Sequence, residues 1–326
     1  QTFRLYMESP TNLLSKIADN RHYAPLLWCI MLLLPIGVLI WGENGNDELS
    51  LNDRILSFDA KWKMQTALYV IHLTAVVLSC ALLLRLNNTY NLMQQRTWLP
   101  ATLLLFFNSC VPAFAHTLNV GILLSPILIL LLYLLYGTYQ SQGQQAAYGI
   151  GLLVASGGLI WPAFAFLLIP FAAGLAYMQT FTWRSATALI LGALTPAWLF
   201  FCICVVFDLA PTFLPIAVEN ITDIKNTGFL VAATIIGICC GVSDSYLMTR
   251  HKIQIWRSNR FLLLLFALLI LLCTINLRFL DSYLPLLHVI MAQSAGYYLI
   301  HTRNRYVLWQ MGIVAIVYLF LYAWNF

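Results

Sequence analysis

Acidic and apolar side chains alternate in residues 43–64, and this segment is better suited to chemistry than any other part of the sequence. Five carboxylates fall between positions 43 and 59: Glu43, Asp47, Glu48, Asp53 and Asp59. Leucine, isoleucine, phenylalanine and tryptophan lie between them, as in a helix on a membrane surface. A carboxylate held there can act as a general base on an acceptor hydroxyl. Asp47, Glu48 and Asp53 are therefore the candidate catalytic residues, and an ordinary solvated acidic loop is the alternative.

Cations that could bind the phosphate of a lipid substrate occur in two other places. Residues 208–227 again mix carboxylates with apolar residues and prolines, and this segment contains Lys225. Arg278 follows a later apolar run, close to Asp281. Lys225 and Arg278 are the candidate lipid-phosphate ligands, although Arg278 and Asp281 could instead form an interfacial ion pair of little energetic value. No cofactor is predicted, and a divalent cation is kept open as an addition to this site.

Polar residues inside apolar runs form the third candidate group, because each is costly at mid-bilayer unless it is paired or faces water. Asp244, His72 and His288 are the main examples. Asp244 is expected to act as a cap or to form an ion pair with Arg250, and a proton relay is the alternative. The two histidines are expected to pack between helices. No metal site is predicted, because the eight cysteines all lie in apolar runs and no histidine pair has ligand spacing.

The elements that must position these residues are membrane-spanning helices. The 326 residues are 61% hydrophobic and only 9% charged, far from the roughly 25% charged residues of soluble domains. We predict an all-α polytopic membrane protein that forms a single integral membrane domain over residues 1–326. Within this domain, an interfacial helix at 9–21 precedes the first span. About eleven spans are expected, at 23–42, 65–84, 98–115, 119–137, 146–159, 161–179, 186–207, 228–248, 260–277, 283–300 and 306–324. Residues 146–179 form either two spans or a re-entrant pair.

The distribution of basic residues predicts the orientation of these spans. With the N-terminus in the cytoplasm, twelve of the seventeen Lys and Arg residues fall on the cytoplasmic side, which the positive-inside rule requires. Residues 43–64 and 208–227 are then external loops, and 249–260 is a basic cytoplasmic loop. The net charge of +5 thus reflects topology and attraction to acidic lipid, and no nucleic-acid partner is expected.

Small residues at four-residue spacing occur in two of the predicted spans. Gly151 is followed by Ala155, and Gly237 by Gly241. Such spacing lets helix backbones approach closely. We expect these positions to mark packing between helices of the same chain.

The arrangement of Asp47-Glu48 in a first external loop, with short middle spans near Pro162, resembles the GT-C family of glycosyltransferases. This resemblance implies transfer of a sugar from a polyprenyl phosphate at the external face. The stretch from RLNNTYNLMQQRTWLPATLLLFFNS to LGALTPAW is also similar to a bacterial multi-span inner-membrane family with no established activity. The second resemblance implies location in the bacterial inner membrane as a multi-pass protein.

Three functions remain open at this point. The first is a group transferase that acts on a lipid-linked sugar, with membrane lipids and polyprenyl phosphate as its partners. The second is a non-catalytic subunit that binds other membrane proteins, for which Asp47→Asn would be harmless. The third is a transporter or lipid flippase with a water-filled route lined by Asp244, His72 or His288.

Overall fold

A computed structural model describes residues 62–111, 114, 119–139, 143–207, 224–247, 253–302 and 307–325. Every regular element in these ranges is a helix, which confirms the predicted all-α class. The α-helices are α1 (Trp62–Tyr90), α2 (Leu99–Ser109), α3 (Val120–Gly137), α4 (Gln144–Ile160), α5 (Leu168–Tyr177), α6 (Trp183–Val206), α7 (Ile224–Leu247), α8 (Ile253–Ile275), α9 (Leu280–His301) and α10 (Val307–Asn325). Two 3-10 helices, Pro162–Leu167 and Leu277–Phe279, precede α5 and α9.

Five of these helices are long and apolar enough to cross a bilayer: α1 over Val70–Tyr90, α3, α6, α7 over Thr227–Ser245, and α8. Their outer faces expose large apolar side chains. On α6, for example, Trp198 is 63% exposed and Val206 is 76% exposed. A soluble monomer rarely shows such continuous apolar surface, whereas lipid solvates it. The chain is therefore an all-α membrane protein.

Helix α9 lies at the centre of the described bundle, in contact with α2, α3, α7 and α8. Its side chains are buried along almost its whole length. Because neighbouring helices shield α9 from lipid, it can carry polar residues such as His288, Gln293 and Ser294. Because of this polar content, α9 is less apolar than the five helices named above and is not counted among them.

Contacts between distant residues define the two ends of the bundle. At one end, the Asn119 side-chain amide donates to the Asp281 carbonyl over 2.8 Å, which brings the beginnings of α3 and α9 together. At the other end, the Tyr136 hydroxyl donates to the Ser258 carbonyl over 3.4 Å, so the end of α3 meets the beginning of α8. We refer to them as the Asn119 end and the Ser258 end.

Residues 146–179 cross the bundle twice. Helix α4 begins beside Thr138, which follows the last residue of α3 at the Ser258 end. It ends at Ile160, and the ring centroid of the next residue, Trp161, lies 4.6 Å from that of Tyr283 at the Asn119 end. Residues 162–177 then return, and the Thr180 hydroxyl donates to the Thr138 hydroxyl over 3.5 Å. A re-entrant pair would turn back halfway, so the two-crossing alternative fits the structure.

The bounds of several helices differ from the predicted spans. Helix α1 continues to Tyr90, beyond the predicted end at 84. Helix α2 ends at Ser109 rather than 115, three residues before Pro112, whose missing N–H disfavours helix continuation. Helix α7 begins at Ile224, so 224–227 are helical and not part of a 208–227 loop. Helix α8 begins at Ile253, so the last eight residues of the predicted 249–260 loop are helical. The predicted elements at 9–21 and 23–42 lie outside the described residues.

Candidate functional site

A lateral groove lies between α7, α8 and α9. It has a volume of about 280 Å³ and an almost entirely apolar lining. Gly237 and Gly241 of α7, Leu263 and Ala267 of α8, and Ile290 and Ser294 of α9 contribute to its walls. Ile238 and Val242 form the outer edge and are 54% and 61% exposed. The groove therefore opens sideways, toward the lipid.

The two glycines of α7 allow the close helix packing that forms this groove. A Cβ atom at Gly237 would overlap the Phe266 ring, and one at Gly241 would lie 3.0 Å from Leu263. The pairing of 237 with 266 and of 241 with 263 also makes α7 and α8 antiparallel. The predicted intramolecular role of the Gly237-x-x-x-Gly241 spacing is confirmed.

The predicted phosphate ligands lie on the same helical unit as the groove. Because α7 is antiparallel to α8, its first turn, which contains Lys225, is at the Asn119 end. Arg278 is in the 3-10 helix between α8 and α9, next to Phe279, whose ring is 6.3 Å from Trp161. The structure describes the backbone of both residues and not their side chains. Both backbone positions thus belong to one end of the groove-forming helices.

Asp244 is buried at the opposite end of the groove. It follows Gly241 by three residues, so it lies on the same face of α7. Its side chain is 0% exposed, and neither carboxyl oxygen makes a hydrogen bond of normal geometry with a described residue. The Asn259 amide on α8 is its polar neighbour. The predicted partner Arg250 lies outside the described residues.

His288 belongs to a separate buried chain of hydrogen bonds that joins three helices. Its Nδ1 lies 3.0 Å from Asn108 Oδ1 on α2, and its Nε2 lies 3.3 Å from the Tyr318 hydroxyl on α10. Since an amide oxygen only accepts, Nδ1 carries the proton and Nε2 accepts from tyrosine. The arrangement is that of a neutral imidazole with both nitrogens satisfied. The prediction that His288 packs between helices is confirmed.

The structure does not bring the three intramembrane candidates into one route. His72 belongs to α1, which packs mainly on α2 and α3, away from the groove helices. His288 is enclosed by Phe107 and Tyr318, with ring centroids 5.7 and 6.0 Å away. Asp244 lies at the Ser258 end of the groove, and His288 lies one helical turn before the groove-lining Met291. His72, His288 and Asp244 therefore occupy three different environments.

The candidate catalytic residues Asp47, Glu48 and Asp53 lie outside the described residues. Within the described ranges, no group of three or more His, Cys, Asp or Glu side chains could hold a metal ion. Sequence reasoning did not single out Asn259, Tyr297 or Tyr318. No sequence signal marked the first two, because the groove from which each lies one helical turn exists only in the packed structure.

Comparison of the chain with protein-family models, with curated proteins and with solved structures finds no match.

Proposed function

We propose that this protein is an integral membrane group transferase whose donor is a sugar linked to a polyprenyl phosphate. The observation that carries this proposal is the lateral groove, which is apolar and opens to lipid. Lys225 lies on α7, one of the groove helices, and Arg278 lies in the 3-10 helix that joins the other two, α8 and α9. The lipid phosphate would bind near these two cations at the Asn119 end. Its isoprenoid chain would run along α7 and α8 into the groove.

The depth of the groove favours a long chain over an ordinary acyl chain. Gly237 follows Lys225 by twelve residues, which is about 18 Å along a helix. A phospholipid tail in the same leaflet covers about 15 Å, half of a hydrocarbon core roughly 30 Å thick. A polyprenyl chain exceeds that length. From Arg278, a phospholipid tail reaches the near edge of the groove at Ile270, eight residues or about 12 Å away, but not its far part at Leu263, about 22 Å away. A phospholipid could also enter from the Ser258 end, where Arg260 stacks on Trp256 at 3.9 Å.

The same proposal includes the finer topology. We propose eleven spans, a cytoplasmic N-terminus and location in the bacterial inner membrane, with the Ser258 end facing the cytoplasm. Arg96, Arg184, Arg257 and Arg260 support this orientation, because each belongs to a connection or helix end at the Ser258 end. Asp47, Glu48 and Asp53 would then be external and would supply the base for transfer to an acceptor hydroxyl.

The groove can be tested by filling it from α8. Ala267 is exposed and lines the groove, so the phenyl ring of Ala267→Phe would occupy the space of the lipid chain. We expect binding of polyprenyl phosphate, measured by native mass spectrometry from lipid nanodiscs, to fall at least about tenfold, equivalent to 1.4 kcal/mol. Ala197→Phe is the matched control, since Ala197 is an exposed alanine of α6 outside the groove.

The same measurement identifies the end from which the chain enters. Lys225→Gln should weaken polyprenyl phosphate binding, and Arg260→Gln should leave it unchanged. Wild-type binding by Ala267→Phe would rule out the groove as the chain site. Loss caused by Arg260→Gln, together with displacement by phosphatidylglycerol, would instead indicate a phospholipid entering from the Ser258 end.

Catalysis is tested separately, with transfer of sugar from a polyprenyl-phosphate donor as the readout. If one of Asp47, Glu48 and Asp53 is the general base, its amide variant should lose a factor of about 10²–10⁴ in turnover while lipid binding remains. Glu43→Gln, in the same acidic segment, should retain activity. Full transfer activity in Asp47→Asn, Glu48→Gln and Asp53→Asn would exclude these residues as the base. A protein that binds the lipid but shows no transfer would support the non-catalytic subunit.

A further inference from the structure

Each of the three groove helices places a polar residue one turn closer to the Ser258 end than the groove itself. Asp244 follows Gly241 of α7 by three residues, Asn259 precedes Leu263 of α8 by four, and Tyr297 follows Ser294 of α9 by three. The exposed fractions of Asp244, Asn259 and Tyr297 are 0%, 7% and 2%. We call these three residues the Asp244 cluster.

The carboxyl group of the cluster has polar neighbours but no counter-charge among the described residues. The Asn259 amide faces it across the contact between α7 and α8. Tyr297 of α9 and Cys240 of α7 are its titratable neighbours. None of these groups is a cation, and among the described residues the Asn259 amide is close enough to interact with the carboxyl oxygens, without a hydrogen bond of normal geometry.

Apolar side chains close the cluster toward the Ser258 end. Met93 and Ile255 pack with Tyr297 as a small buried group, and Trp256 and Ile300 cover it. On its other side lies the apolar groove. Water therefore does not solvate the carboxyl group, and an ionised carboxylate without a counter-charge is among the costliest groups to bury in a membrane.

We propose that Asp244 is a binding site for one monovalent positive charge, a proton or Na⁺, between the groove and the Ser258 end. One carboxylate is neutralised by one such charge, whereas a divalent ion would leave the buried site positive. The side-chain oxygens of the cluster belong to Asp244, Asn259 and Tyr297, and oxygen ligands suit a hard cation. This cation site is separate from the proposed lipid-binding function and does not depend on it. The Asp244 cluster is buried between the helices, whereas the lipid chain would occupy the groove that opens to the bilayer.

The experiment uses the full chain in nanodiscs and follows thermal unfolding and the infrared carbonyl bands. Na⁺ is varied against choline at constant ionic strength, and pH is varied in a separate series. If Na⁺ is the ligand, 100 times its dissociation constant should raise the folded-to-unfolded ratio about 100-fold. If a proton is the ligand, Na⁺ has no effect, a protonated carboxyl band is present, and raising the pH both removes it and lowers stability.

Asp244→Asn should abolish the response in either case, and Asp281→Asn, the same change at the Asn119 end, should leave it intact. The infrared series on the wild-type chain provides the readout even if Asp244→Asn does not fold. A response that survives in Asp244→Asn would overturn the proposal. So would a carboxylate that stays ionised and insensitive to both Na⁺ and pH, since that is the behaviour of a fixed ion pair such as the predicted one with Arg250.

Discussion

Gly192→Leu is expected to detach α6 from α4 and to lower the stability of the protein strongly. A Cβ atom at Gly192 would overlap the Tyr148 carbonyl oxygen, and one at Gly151 would overlap the Leu189 carbonyl oxygen. The two backbones are therefore in direct contact, as small residues permit between membrane helices. Because backbone atoms cannot move aside as a side-chain tip can, the leucine must separate the helices. We expect a loss of about 3 kcal/mol, the upper part of the range for overpacking.

Gly312→Leu is the matched control for this prediction. Gly312 lies in the outer part of α10, and a Cβ atom there would meet nothing within 4 Å. The same substitution should change stability by less than about 0.5 kcal/mol. The measurement is thermal unfolding of both variants in one detergent, combined with a cross-link between α4 and α6. Equal unfolding temperatures for the two variants would show that the crossing of α4 and α6 tolerates separation.

The helices that the sequence predicts most accurately are those whose limits follow from local chemistry. Helix α3 was expected at 119–137 and is found at Val120–Gly137, because its apolar run is unbroken and the Asn119 side chain accepts from the Gly121 amide as a cap. Helix α8 was expected only from residue 260, since its first turns carry Arg257 and Arg260. Arginines remain compatible with a helix at a membrane interface when they reach toward the headgroups.

The position of α9 could not be predicted in the same way. Lipid-facing and protein-facing apolar surfaces have nearly the same composition, so the sequence does not reveal which helix is central. The polar residues of α9 become understandable only when its neighbours are known. Asp244 was a candidate from the sequence, but its neighbours Asn259 and Tyr297 come from helices that begin nine and thirty-six residues later. Their proximity depends on tertiary packing.

Replacement of His288 is expected to be costly because it leaves two buried groups without partners. His288→Leu removes the acceptor of the Tyr318 hydroxyl and the donor to Asn108 Oδ1. Each orphaned group costs about 1–3 kcal/mol, so a total of about 2–6 kcal/mol is expected for the two. Tyr318→Phe leaves only the imidazole Nε2 without a partner and should cost about 1 kcal/mol. Unfolding of both variants in mixed detergent gives these values.

The decisive variant removes the whole chain of hydrogen bonds at once, by combining Asn108→Leu, His288→Leu and Tyr318→Phe. Because no polar group then remains unpaired, this protein should be more stable than His288→Leu alone. If the triple variant loses as much free energy of unfolding as the three single variants combined, the network is not coupled.

The function of the triple variant provides a second test of the network. Tyr318 also contacts the Met291 sulfur at 4.0 Å, and Met291 lines the groove. If the triple variant regains stability but no longer transfers sugar from the lipid-linked donor, the network acts on the groove and not only on folding.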